Sequence, residues 1–229
     1  MWRGSGGRPM IGLALFLAGG AVLLLGLAQL FLPRIAASRI SSRIGRYGRV
    51  QSVSVKAWPA LKLLWGDADS VTIRAGSLKL SPAQTAKLLW EARGVKRIRM
   101  TAVGVQEGPL RLSEVGVRKQ GRALAAEALI SASDVKDALP PGFHVELLSS
   151  EAGEVHVKAR GGLFGLGASV NAVAGASNGK LVVRPLGSLL SGLQLTLFSD
   201  PHVYVEGVGA SVETGRPLSY RLTVRASLR

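Results

Sequence analysis

The residues best suited to chemistry in this chain are few and scattered. The 229-residue sequence has no cysteine and three histidines, His144, His156 and His202, each isolated on a candidate strand. A metal site needs several donors in one place, so we expect structural histidines. Asp67 and Asp69 flank a turn and could bind a cation, but carboxylates spaced in this way are more often solvated.

Sequence patterns typical of enzymes are missing. The chain contains no Gly-x-Ser-x-Gly, His-Glu-x-x-His, Walker A or dinucleotide-binding pattern. We therefore predict that the protein is not an enzyme, with no catalytic residue, no metal site and no cofactor.

Positive charge is the strongest compositional feature. The chain has 29 Lys and Arg against 14 Asp and Glu, a formal net charge of +15. A candidate basic patch comprises Lys96, Arg97, Arg99, Arg118, Lys119 and Arg122. No aromatic residues alternate with these cations, so we predict no nucleic-acid partner. The same charge suits a surface that attracts anionic lipid headgroups, or an ordinary solvated sheet face.

The N-terminal region predicts a membrane anchor. Residues 11–32 are 22 residues without a charge, about 33 Å as a helix, which is enough to cross a bilayer. They follow a basic tail, residues 1–10, and precede an amphipathic juxtamembrane helix, residues 33–49, that either packs on the domain or lies on lipid headgroups. We favour an uncleaved signal anchor; a cleaved secretory signal and a buried helix are the alternatives.

The orientation of this anchor is not fixed by charge counts. Arginine is more abundant after the apolar span than before it, which taken alone favours a cytoplasmic domain. We nevertheless favour export, because a short basic tail followed at once by the only apolar span is typical of a signal anchor. The predicted location is the cell membrane, crossed once, with the C-terminal domain on the extracytoplasmic (periplasmic) side.

Residues 50–229 predict a domain of strands with few helices. Alternating apolar residues, beginning with Val53 and Val55, indicate strands with one apolar face. One helix is well marked, with Ser81 as N-cap and Gln84 completing a capping box. Residues 122–131 suit either a helix or a strand, and Ser133 or Asp134 could cap a short second helix. A change of parity near Ser113 indicates a β-bulge.

The pattern resembles the LmeA-like family of phospholipid-binding envelope proteins, which is known mainly from actinobacteria. The resemblance covers about residues 35–228, and the family pattern usually has Leu where this chain has Val135. The matching blocks are Trp58-Pro59-x-Leu61-x-x-Leu64-x-Gly66, Asp69-x-Val71-x-Ile73, Ser133-Asp134-Val135-x-x-Ala138-Leu139, Val145-x-Leu147, Val155-x-Val157 and Gly179-Lys180-Leu181-Val182-Val183-x-Pro185.

The resemblance implies an α+β fold in which a curved, mainly antiparallel β-sheet wraps around a helix, similar to tubular lipid-binding folds. It also implies a membrane-anchored protein that holds acyl chains of an envelope phospholipid or glycolipid in an apolar groove, for transfer or presentation. The alternative is a membrane-anchored scaffold that docks proteins through strand edges without bound lipid.

Apolar residues beside turns and on the marked helix are the candidates for the groove wall. The candidate lipid-binding residues are Leu61, Leu64, Trp65, Leu89, Trp90, Val145, Leu147, Leu163 and Phe164. Each could equally belong to a closed core. Leu64 and Trp65 lie beside a turn and could also enter a bilayer, where tryptophan suits the interface.

Overall fold

The structure is a computed structural model, and it describes residues 28–229 apart from 108–109, 140, 164–165, 188–191 and 216. The described helices are α1 over residues 28–44, α2 at Pro82–Glu91 and α3 at Ala132–Ala138, with 3-10 turns at Gly45–Tyr47 and Ala60–Trp65. The strands are β1 Gly48–Lys56, β2 Ala68–Lys79, β3 Val95–Glu107, β4 Leu110–Gln120, β5 Ala123–Ser131, β6 His144–Glu151, β7 Glu154–Leu163, β8 Leu166–Ser177, β9 Lys180–Leu186, β10 Leu195–Phe198, β11 Val203–Glu213 and β12 Ser219–Leu228.

Seven strands form the first sheet, in the order β1-β2-β3-β4-β5-β12-β11. All neighbouring pairs are antiparallel except β2 and β3, which are parallel and are connected through α2. A parallel pair needs a crossover connection, and α2 supplies it. Apolar side chains from alternate positions of these strands share one face of the sheet.

The second sheet is antiparallel throughout, in the order β10-β9-β8-β7-β6. Its end at the β6–β7 and β8–β9 turns meets the edge strand β11 of the first sheet. The backbone N–H groups of Val205 and Val208 donate to the carbonyl oxygens of Gly179 and Gly153, each at 2.9 Å. The N–H of Ala210 donates to the Ser150 hydroxyl at 2.9 Å. These bonds satisfy donors of an edge strand that would otherwise be open to pairing.

The prediction of mainly antiparallel sheet with few helices is therefore confirmed, but the prediction of one sheet wrapped around a helix is wrong. The described strands form two open sheets joined at the β11 edge. Hydrophobic alternation reports which residues share a face, but the edge-on junction depends on turns remote in sequence from β11.

Helices α1 and α2 pack directly on the first sheet. Ala36, Ala37 and Ile40 of α1 contact a buried cluster that includes Ile73 and Leu78. On α2, Ala86 is buried in a second cluster with Leu124, Val203, Ala226 and Leu228. Side chains of the protein therefore pack between each of these helices and the sheet.

Local signals in the sequence were informative. The Ser81 hydroxyl accepts the Gln84 N–H at 3.2 Å and the Gln84 side chain accepts the Ser81 N–H at 2.9 Å, which confirms the capping box. The ambiguous residues 122–131 are strand from Ala123 onward. A shift in register between Ser113 and Gly116 confirms the bulge. The α3 N-cap is Ser131, not Ser133 or Asp134, because the Ser131 hydroxyl accepts the Asp134 N–H at 3.0 Å.

The predicted N-terminal tail, residues 1–10, and most of the predicted span, residues 11–27, lie outside the described residues. Residues 28–32 belong to α1. The helix predicted over residues 33–49 is the remainder of α1 and is shorter than predicted, because α1 ends at residue 44. Of the helices that the described residues form, none is long and apolar enough to cross a bilayer.

Candidate functional site

One face of the second sheet is apolar across all five strands. Cross-strand neighbours show its continuity: Leu147 pairs with Val157, Val157 with Ala172, and Ala172 with Pro185. Since alternate residues of a strand share a face, the register places the following residues together: Val145, Leu147, Val155, Val157, Ala159, Val170, Ala172, Ala174, Leu181, Val183, Pro185 and Leu195. We call this set the β6–β10 apolar face.

The opposite face of the same sheet carries charged side chains together with two buried valines, Val173 and Val182. Arg160 forms an ion pair with Glu146 at 3.3 Å, and Arg184 forms one with Glu154 at 3.0 Å. The two faces of the second sheet therefore differ, because the ion pairs lie on one face and the β6–β10 apolar face carries no charged side chain. Outside its own strands, its most extensive contacts in the described part of the chain are with β11 and α3.

An apolar pocket of about 330 Å³ lies on the β6–β10 apolar face. Its lining residues are Ala172, Val183, Pro185, Leu193, Gln194 and Leu195. Pockets for small ligands usually start near 300 Å³, so this volume is enough for part of one acyl chain. Leu193 and Leu195 are exposed, which leaves one side of the pocket open to a ligand that extends along the sheet.

A second pocket, of about 300 Å³, has a different chemistry. It lies between the outer face of the first sheet and the β6–β7 turn, where Arg118 and Arg225 are accompanied by Glu127 and Glu151. Arg118 and Glu127 form an ion pair at 3.5 Å. The balanced charges make this pocket a poor place for an acyl chain.

The structure distributes the predicted lipid-binding residues over several elements. Val145 and Leu147 lie on the β6–β10 apolar face. Leu61, Leu64 and Trp65 lie in the 3-10 turn Ala60–Trp65, Leu89 and Trp90 lie on α2, and Leu163 ends β7. Phe164 lies outside the described residues.

The two α2 candidates make contacts within the protein. Leu89 packs against the second core cluster. Trp90 stacks on His202 with ring centroids 4.2 Å apart, and the Arg93 guanidinium lies 4.8 Å from the centre of the Trp90 ring. Both residues therefore help to fix α2 on the sheet, and their role in lipid binding stays a prediction.

Sequence reasoning missed the pocket residues on β8, β9 and β10. Val183 and Pro185 belong to a block that carried the family resemblance, and the alternation of Leu181, Val183 and Pro185 was visible. The missing information was the pairing of β9 with Ala172 on β8 and Leu195 on β10, which converts separate alternating strands into one continuous face.

The predicted basic patch is not one surface. Lys119 is only 3% exposed, and its ammonium donates to the carbonyl oxygens of Arg93, at 3.2 Å, and Val95. Burial lowers the pKa of Lys119 below its usual value. Register places Arg99 beside Arg118 on the outer face of the first sheet, opposite the helices.

Asp69 organises the turn that carries the predicted residues Leu61, Leu64 and Trp65. Its Oδ2 accepts the Trp58 N–H at 2.7 Å, and its Oδ1 lies 3.8 Å from the Lys62 ammonium and 3.4 Å from the Lys96 ammonium. The Trp58 hydrogen bond and the two lysines hold the pKa of Asp69 below its usual value. Among the described residues, no three His, Asp or Glu side chains come close enough together to hold a metal ion.

Comparison with known proteins gives one match. A family model described as LmeA-like phospholipid-binding matches residues 25–213. No curated protein and no solved structure matches the chain.

Proposed function

The chain belongs to the LmeA-like phospholipid-binding family, and we propose on this premise that it holds phospholipid acyl chains against the β6–β10 apolar face. The protein binds and shields the lipid for transfer or presentation, and it carries out no catalysis. An envelope phospholipid or a glycolipid has the acyl chains that such a surface needs.

The observation that carries this proposal is the apolar pocket on the β6–β10 apolar face. The register places no charged side chain on the β6–β10 apolar face, and most of its side chains are only half-buried. Burial of a methylene group contributes about 0.8 kcal/mol, so half of a 16-carbon chain would contribute about 6 kcal/mol before ordering costs. This amount supports reversible binding of a lipid that is poorly soluble in water.

The proposal includes a membrane anchor. Residues 11–32 carry no charge, and in our proposal they hold the protein in the cell membrane with the folded domain on the extracytoplasmic side. An anchored domain needs to move a lipid only between the nearby bilayer and a partner, which suits a binding face that is open at one side.

A matched pair of variants of the full chain tests the proposal. Leu195→Asp introduces a carboxylate at the apolar pocket, whereas Leu186→Asp introduces one at another exposed leucine, on β9, which directly follows Pro185 and so faces away from the pocket. Each protein is extracted with organic solvent and its phospholipid counted by mass spectrometry. Lipid held by the predicted span is common to all the variants, so it cancels in the comparison.

We expect Leu195→Asp to lower bound phospholipid by roughly ten-fold relative to wild type, because an unpaired charge in an apolar site is costly. Leu186→Asp should retain the wild-type amount. Equal phospholipid content in the two folded variants would contradict the proposal and would favour a scaffold that binds proteins through its strand edges.

A further inference from the structure

Large apolar side chains are exposed together at one end of the first sheet. Trp58 and Trp65 are 73% and 76% exposed, and Leu64 between them is also exposed. Leu30 and Phe31, near the beginning of the described part of α1, are exposed as well. We call these five residues the tip. A soluble surface rarely concentrates such side chains without a partner.

Hydrogen bonds tie the two parts of the tip to each other. The Gln29 side chain of α1 accepts the Ala60 N–H at 2.7 Å and donates to the Ala57 carbonyl oxygen at 3.4 Å. The Asp69 carboxylate holds the Trp58 N–H from the other side. The exposed tryptophans are therefore presented on a turn whose N-terminal part, residues 57–60, is fixed by Gln29 and Asp69.

Cations surround the tip. Lys62 lies within the 3-10 turn, and Lys56 is the last residue of β1, just before the turn. Lys96 and Arg97 lie near the beginning of β3, which pairs with the beginning of β2, the strand that follows the turn. Asp67 and Asp69 are the carboxylates in this region, so positive charge is in excess. Exposed tryptophan bordered by Lys and Arg is the composition of side chains that lie at the interface of an anionic bilayer.

The position of the tip in the chain agrees with this environment. The uncharged segment 11–32 ends at residues that immediately follow Gln29, and the first charge after it is Arg34. Hydropathy therefore places the membrane boundary close to Gln29, the residue whose side chain is hydrogen-bonded to the turn.

We propose that the tip docks into the interface of an anionic phospholipid bilayer, with Trp58 and Trp65 among the headgroups and upper acyl chains. This docking is separate from acyl-chain binding on the second sheet and does not depend on it. It fixes which end of the domain faces the membrane.

Depth-dependent fluorescence quenching tests the proposal on the full chain. Trp2→Phe and Trp90→Phe together leave Trp58 and Trp65 as the only tryptophans. The protein is reconstituted into phosphatidylcholine vesicles with or without phosphatidylglycerol, in which the acyl chains are brominated or unmodified. In the control protein all four tryptophans are replaced by Phe, and Val103→Trp supplies a single reporter at an exposed position of β3. Val103 lies eight residues after Val95, the first residue of β3, and is therefore about 26 Å along the strand from the end that carries the tip. Circular dichroism melting checks that each variant is folded.

We expect brominated lipid to quench the fluorescence of the tip tryptophans by about half, because an interfacial tryptophan lies close to the upper acyl chains. The Val103→Trp reporter should be quenched little, because it lies far from the bilayer. Phosphatidylglycerol should increase the quenching of the tip. Equal quenching of the two reporters, no effect of phosphatidylglycerol, or no quenching of the tip would each overturn the proposal. Protection of the tip tryptophans from aqueous iodide in the absence of vesicles would also overturn it, since residues 1–27 or a second copy would then cover the tip.

Discussion

Gly153, in the turn between β6 and β7, lies against Gly207 of β11 so closely that a Cβ atom on Gly207 would be 3.2 Å from the Gly153 Cα. The Val208 N–H donates to the Gly153 carbonyl oxygen beside this contact. The two sheets thus meet backbone to backbone, and the absence of side chains at both positions allows the approach.

The variant Gly207→Ala should weaken the junction between the sheets. The added methyl group forces the β6–β7 turn away from β11, and overpacking of this kind typically lowers the free energy of unfolding by about 1–3 kcal/mol. Chemical denaturation measures the change. Gly215→Ala, in the loop between β11 and β12, is the control: a Cβ there meets nothing within 4 Å, so stability should change by no more than about 0.5 kcal/mol. Equal free energies of unfolding for the two variants would contradict this prediction, because the β6–β7 turn would then accommodate the methyl group without loss of stability.

The variant Ser81→Ala should destabilise α2 by removing one half of its capping box. Loss of an N-cap hydroxyl typically costs about 1 kcal/mol. Since α2 carries Ala86 into the second core cluster, the loss should appear in global unfolding as well as in helix fraying. Thermal denaturation of Ser81→Ala and of Ser54→Ala, at an exposed position of β1, provides the comparison. A loss of the same size in both variants would contradict a specific role for the cap.

Lys119 should make stability depend on pH in the alkaline range. Burial lowers the pKa of its ammonium in the folded protein below the value of 10.5 expected for the unfolded chain. Between these two pKa values the unfolded chain binds more protons than the folded chain, so the free energy of unfolding rises with pH across this range.

Denaturation curves recorded over this pH range measure the effect. Lys119→Met should lose this part of the rise, whereas Lys79→Met, at an exposed position of β2, should keep it. If the two variants show the same pH dependence as wild type, the Lys119 ammonium is not the group responsible.

The sequence was informative where the deciding interactions are local. The α2 capping box needs only Ser81 and Gln84, three residues apart, and the Ser113 bulge needs only a change of alternation. Residues 122–131 illustrate the opposite case: their Ala and Leu content suits a helix, but pairing with β4 and β12 makes them a strand.

The same limit explains the candidate site. Val145 and Leu147 were predicted and lie on the β6–β10 apolar face, whereas Val183 and Leu195 were not predicted, because their proximity arises only from the pairing of β9 with β10. Leu89 was predicted from its place on a helix stripe, and the structure packs it against the second core cluster. Periodicity identifies an apolar face but not whether protein or ligand covers it.

Cross-linking by a phospholipid with a photoactivatable diazirine in its acyl chain tests the central claim most directly. After irradiation of the full chain, mass spectrometry of its peptides locates each attachment. We predict attachments on β8, β9 and β10 at residues of the β6–β10 apolar face, among them Val183 and Leu195, and few at Arg160 or Arg184 on the charged face. Attachments confined to other parts of the chain, with none on β6 to β10, would contradict the proposed site.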